Sequence, residues 1–132
     1  MAYSDFFGDI NNCLAVAPAG IIRVQVPAGA GTDPYVMFAV GAIQVSITIF
    51  DVYVIPTAAS GGGTITVETD IGAGYVAMTN AMGCAIIGTV ARATTLVHTA
   101  TAQTVVGPAN AMQANKNAVG DAGLVHLLFH LT

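Results

Sequence analysis

Ile43-Gln44-Val45-Ser46-Ile47-Thr48-Ile49-Phe50-Asp51-Val52-Tyr53-Val54-Ile55-Pro56 is the stretch whose reading decides the fold class. From Ile43 to Ile49, apolar and polar residues alternate strictly. An amphipathic helix would repeat every 3.6 residues, so this period of two describes a half-buried strand. It places Ile43, Val45, Ile47 and Ile49 on one face. After Phe50 the apolar positions become Val52 and Val54, which have the opposite parity. A bulge near Phe50–Asp51 would return both sets to one side. A strand passing from one sheet to another would do the same. Pro56 is expected to end the segment, because proline cannot donate to a ladder.

Outward from this stretch the same period recurs. A Gly-rich link, Gly61-Gly62-Gly63, leads to Thr64-Ile65-Thr66-Val67-Glu68-Thr69-Asp70. Here Ile65 and Val67 point inward and Thr64, Thr66 and Glu68 outward. The runs on either side of the link read as antiparallel neighbours. Leu124 to Leu131 alternates as well, with Val125, Leu127 and Phe129 on the inward side. Shorter strands are predicted at Ile21–Val26, Tyr35–Val40, Tyr75–Met78, Ala85–Ala91, Thr94–Thr99 and Gln103–Val106. Gly41-Ala42 and Asn80 to Gly83 read as turns, and Asn110 to Asn117 as a loop or a helical turn. The sum is an all-β fold: an antiparallel β-sandwich or jelly-roll-like barrel of about eight to ten short strands. No repeat at a fixed period is visible. Residues 1–14 show neither period and read as an N-terminal arm, leaving 15–132 as a single β-sandwich domain.

Composition narrows the function classes. Of 132 residues, 55% are hydrophobic and 8% charged, with a net charge of −4 and mean hydropathy +0.73. Soluble domains average about 25% charged residues. Intrinsic disorder is excluded, since it requires low hydrophobicity and high charge. Three basic residues cannot neutralise many phosphates, so no nucleic-acid partner is expected. A small domain has much surface for its volume. With so few charges, part of that surface is expected to be buried against other chains.

A membrane role is not expected either. The uncharged stretch 34–50 contains the alternating segment above, and 71–91 is interrupted by Gly72, Gly74, Gly83 and Gly88. Neither resembles the run of about 20 apolar residues that a spanning helix needs. Asp5 and Asp9 precede the first basic residue, Arg23, so the start lacks the positive region of a signal peptide. Cys13 and Cys84 read as buried thiols, and a bridge between them stays open. Without a CxxC spacing there is no zinc motif.

No catalytic constellation emerges. His126 and His130 have the spacing of a chelating helical pair, but in a strand they stand about 13 Å apart. They read as an outward pair facing solvent or a neighbour, and His98 has no required role. Glu68 and Asp70 share a parity and read as an exposed face. Asp33 and Asp121 lie in Gly-containing loops without the spaced ligands of a calcium site. No serine has a nucleophile-elbow context, and Gly61-Gly62-Gly63-Thr64 lacks the ending of a phosphate loop. No enzyme activity and no cofactor are expected. The arm is the candidate partner-binding element: Tyr3, Phe6 and Phe7 are aromatic anchors, with Asp5 and Asp9 to meet basic groups.

The Ala/Gly/Thr/Val-rich strands, the scarcity of charge and the run from Val52 to Thr69 resemble small structural proteins of tailed-bacteriophage virions. Capsid decoration (cement) proteins and related small β-sandwich virion proteins share this style. The resemblance implies a non-catalytic protein on the capsid surface, made in the host cytoplasm. It also implies the major capsid protein as partner and assembly as a homotrimer. The alternative is a ligand- or carbohydrate-binding β-sandwich module of a phage tail or fibre. The absence of Trp weighs against that alternative.

Overall fold

The computed structural model describes residues 19–29, 34–59, 63–99 and 104–132. The proposed arm, with Tyr3, Asp5, Phe6, Phe7 and Asp9, lies outside the described residues, as do Cys13 and Asp33. Ten strands follow one another: β1 (Ala19–Val26), β2 (Tyr35–Phe38), β3 (Ile47–Ala58), β4 (Thr64–Asp70), β5 (Tyr75–Ala77), β6 (Met82–Gly83), β7 (Ala91–Arg92), β8 (Val105–Val106), β9 (Ala111–Lys116) and β10 (Ala122–Leu131). They form two antiparallel sheets that pack face to face. The first runs β1-β10-β3-β7, with β8 also on β3. The second runs β2-β9-β4-β5, with β6 also on β4. Among the described residues, no helix is long and apolar enough to cross a membrane.

The change of parity in β3 is a bulge. Leu128 pairs with Asp51 and Phe129 with Ile49, so Phe50 is the extra residue. Ile47, Ile49, Val52 and Val54 are therefore all buried, while Phe50 is pushed outward. β3 stays in the first sheet throughout, which removes the reading of a strand that changes sheets. Pro56 does not end the strand. Its carbonyl accepts from the Gly88 N–H at 2.9 Å. In an extended strand its nitrogen faces that same side, away from β10, so no ladder donor is lost. A second irregularity follows, where Gly123 pairs with Pro56 and Ala122 with Ala58.

The interior lies between the sheets. Ile22, Val52, Val54, Val125, Leu127 and Phe129 come from the first, and Ile65, Val67, Met112 and Ala114 from the second. Burying each larger side chain stabilises by about 1.5–3 kcal/mol. Eight of the expected core residues are buried: Ile43, Ile47, Ile49, Ile65, Val67, Val125, Leu127 and Phe129. Val45 is not. It is 37% exposed, because 43–46 is not part of a strand and loses the two-residue period.

Other expectations are corrected. β3 and β4 are not neighbours; they belong to different sheets, so the Gly-rich link joins the two layers. Within it, Gly63 packs so closely that a Cβ there would overlap the Asp121 carboxylate. Residues 85–90 form a turn, not a strand: Thr89 N–H donates to the Ile86 carbonyl at 3.2 Å, and Gly88 has φ of 81°. Of Thr94–Thr99, only Leu96 makes a bridge, to Thr79. Met82–Gly83, read as a turn, pairs with Thr64 and Ile65.

The largest correction concerns 110–117. Ala111–Lys116 is β9, flanked on both sides by β2 and β4. Its composition hides this, since Ala, Gln, Asn and Lys are poor strand formers. Lys116 has the parity of the buried residues and is 2% exposed. The charge is held by carbonyls, with Nζ donating to Pro27 O at 2.7 Å and Val119 O at 3.5 Å.

Candidate functional site

The outer face of the first sheet gathers the side chains that chemistry can use. One row crosses four strands: Arg23 on β1, His126 on β10, Tyr53 on β3 and Arg92 on β7. Their inward neighbours Ile22, Val125 and Val54 are buried, and the strand period sends these four to the other side. The Tyr53 and His126 rings stack at 4.4 Å and 11°. The Arg92 guanidinium lies 5.1 Å from the Tyr53 centroid. Tyr53 stands between these two partners, so both faces of its ring are taken. Arg92 also pairs with Asp51.

His126 is buried, and its Nδ1 is 3.1 Å from the Leu124 carbonyl. Burial holds its pKa below the usual histidine value. The Leu124 carbonyl opposes that shift and the nearby Arg23 charge adds to it. Burial thus favours the neutral imidazole, which can donate at one nitrogen and accept at the other.

Beside this row lies a more apolar strip. Ile21 pairs with Leu128, and Ile21 is 44% exposed. Phe50, the bulge residue, stacks on His130 at 5.7 Å and is 51% exposed. His126 and His130 share the face as the period predicted, but each is committed to a ring partner. His98 contacts the Thr104 hydroxyl at 3.3 Å. Among the described residues, no three His, Cys, Asp or Glu side chains come together as metal ligands.

The opposite outer face, on the second sheet, is more polar and internally bonded, with Val36 as an exposed apolar residue on it. Glu68 Oε1 accepts from Gln113 Nε2 at 2.6 Å, and Oε2 from Asn115 Nδ2 at 3.4 Å. Asp70 Oδ1 accepts the Gly72 and Gly74 N–H groups at 2.8 and 3.2 Å and closes the β4–β5 turn. Glu68 and Asp70 do share one face, as their parity requires, and both are structural there. Tyr75 pairs with Asp70. Its phenol is pushed above the usual tyrosine pKa by burial, then by the Asp70 and Glu68 charges.

Two further features stand apart. The turn 85–90 presents Ile86, Ile87 and Val90 at 65%, 62% and 51% exposure. Cys84 beside it is a buried free thiol, pushed up to about 11 by desolvation and then by the Asp121 charge. That suppresses the thiolate and with it nucleophilic reactivity.

Sequence reasoning missed the row, since its members lie in four separate segments. The parity of His126 and Tyr53 was readable, but not the strand order that makes them neighbours. Neither a protein-family model nor a curated protein sequence matches the chain.

Proposed function

We propose that the chain is a non-catalytic structural protein that decorates and stabilises a bacteriophage capsid as a homo-oligomer, a trimer in the simplest form. The observation that carries this reading is the amount of large apolar side chain left outside on a chain with 8% charged residues. Ile86, Ile87 and Val90 project from one turn, and Ile21 and Phe50 from one sheet face. Grouped exposed apolar residues mark surfaces that another protein covers. Permanent contacts of that kind are depleted in charge at their centre. The major capsid protein and neighbouring copies are the partners on this reading.

The carbohydrate-binding alternative is less well supported. Sugar rings stack on open aromatic faces, and both faces of Tyr53 are occupied. The test has two parts. Sedimentation velocity at micromolar concentration is expected to give an oligomer, with a trimer's mass. The protein added to capsids that lack it is expected to co-sediment with them, and Ile86→Ser/Ile87→Ser to reduce that binding while leaving the melting temperature unchanged. A stable monomer that ignores capsids ends this reading.

A further inference from the structure

The outer face of the first sheet is aromatic, apolar and cationic. The sequence contains two arginines and one lysine. Lys116 is buried, whereas Arg23 and Arg92 both stand on this face. The surface cations of the whole chain are thus at the two ends of one row, with the His126–Tyr53 ring pair between them. Three strand spacings of about 4.8 Å separate β1 from β7, or about 14 Å.

A complementary pattern exists in the same chain. Asp5, Phe7 and Asp9 occur at alternate positions in a segment, 1–14, that holds no Lys or Arg. Taken up in extended form, alternate residues share one side, and Asp5 and Asp9 are about 13 Å apart with Phe7 midway. Acid–aromatic–acid thus matches Arg–ring pair–Arg in order, in charge and in spacing. The first described residue, Ala19, is paired with His130 at the border of this face. Eighteen residues can span about 60 Å, enough to reach an adjacent molecule.

We propose that the outer face of the first sheet receives residues 1–14 of a neighbouring copy, laid across the row with Asp5 and Asp9 on Arg23 and Arg92 and Phe7 against the outward edges of the His126–Tyr53 pair, where both faces of the Tyr53 ring are already occupied. The inference rests on the oligomeric reading above and names the contact that links the copies. Exchange in this sense is heterologous, each copy giving a segment and receiving one, and it closes into a ring when the rotation permits. Asp51, the acidic neighbour on the face, is paired with Arg92, so the row keeps a net positive charge through Arg23, and Asp9 would share the Arg92 guanidinium with Asp51.

The test uses the full chain and sedimentation equilibrium. Arg23→Glu/Arg92→Glu reverses the face, and Asp5→Arg/Asp9→Arg reverses the segment. Each variant alone is expected to weaken association by roughly tenfold or more. An equimolar mixture of the two is expected to regain association in part, because the basic segment of one fits the acidic face of the other; in a three-membered ring two of the three contacts can be matched in this way, and in an even-numbered ring all of them. Phe7→Ser is expected to weaken association more than Phe6→Ser, a comparison that holds even if the change at Arg92 disturbs the fold beside Asp51. Unaltered association in the reversed variants, a mixture that stays apart, or equal effects at Phe6 and Phe7 would each overturn the proposal. In those cases the wild-type protein remains an oligomer and the reading above survives. A wild-type chain that is monomeric at every concentration removes that reading instead.

Discussion

The two outer faces of this sandwich are built from the same strand geometry and finished in opposite ways. On the second sheet, Glu68, Gln113 and Asn115 bond to one another, and Asp70 closes a turn. These polar groups are used within the face, beside one exposed apolar side chain, Val36. On the first sheet, rings stack on rings, a guanidinium lies over a phenol, and Phe50 and Ile21 remain half uncovered. The contrast separates a face made to be wet from a face with chemistry left over. Both are outward positions of alternating strands, so burial pattern alone would treat them alike.

The interior common to both sheets sets the upper bound for any disturbance. Phe129→Ala, which removes a fully buried ring, is expected to cost about 3–5 kcal/mol in chemical denaturation. A loss below about 1 kcal/mol would mean that the sheets are less closely packed than described. Single changes on either outer face should cost less. On the first sheet, Tyr53→Ala removes two ring-face contacts and is expected to cost about 1–2 kcal/mol. On the second, Glu68→Ala leaves Gln113 and Asn115 with water as a substitute, so about 0.5–1 kcal/mol is expected. The reverse order would contradict the distinction between the faces.

Much of this was legible beforehand, for identifiable reasons. The switch of parity at Phe50 is visible in any strand that must keep one face buried, and the register confirms a bulge there. The inward sides of β4 and β10 follow from unbroken alternation of Ile65 and Val67, and of Val125, Leu127 and Phe129. β9 was not legible, because its inward positions are Met112, Ala114 and Lys116, and a buried lysine depends on carbonyls from distant loops. The turn at 85–90 was misread since Ile86 and Ile87 look like core residues when the exposed end of a sandwich is not yet in view. The candidate row was the least accessible of all. It requires the order β1-β10-β3-β7, which is a property of long-range pairing and leaves no local trace.

The smallest effects sharpen the comparison through pH. His126, on the first sheet, has a folded pKa below its unfolded value. The unfolded chain therefore binds more protons in that window, and stability falls as pH drops from about 7 through the folded pKa. His126→Gln is expected to flatten this acid limb in melting curves. Tyr75, on the second sheet, has its pKa raised, so its contribution is complete below the unfolded value of about 10 and is lost as pH rises beyond it. Tyr75→Phe is expected to flatten the alkaline limb, with Cys84 remaining as the interior contributor there. One face is thus sensitive to acid and the other to base. An acid limb unchanged by His126→Gln would break the assignment.

Lys116 gives the protein an unusual property toward reagents. It is the single lysine of the sequence, and in the folded state its amine is enclosed by the carbonyls of Pro27 and Val119. An acylating reagent applied to the native protein finds no side-chain amine at the described surface. Modification at Lys116 must wait until the loops around 27–29 and 117–121 part from β9. The rate of that acylation is therefore a clock for one local opening event, readable by mass alone in a crowded assembly where spectroscopic probes would be lost among other proteins.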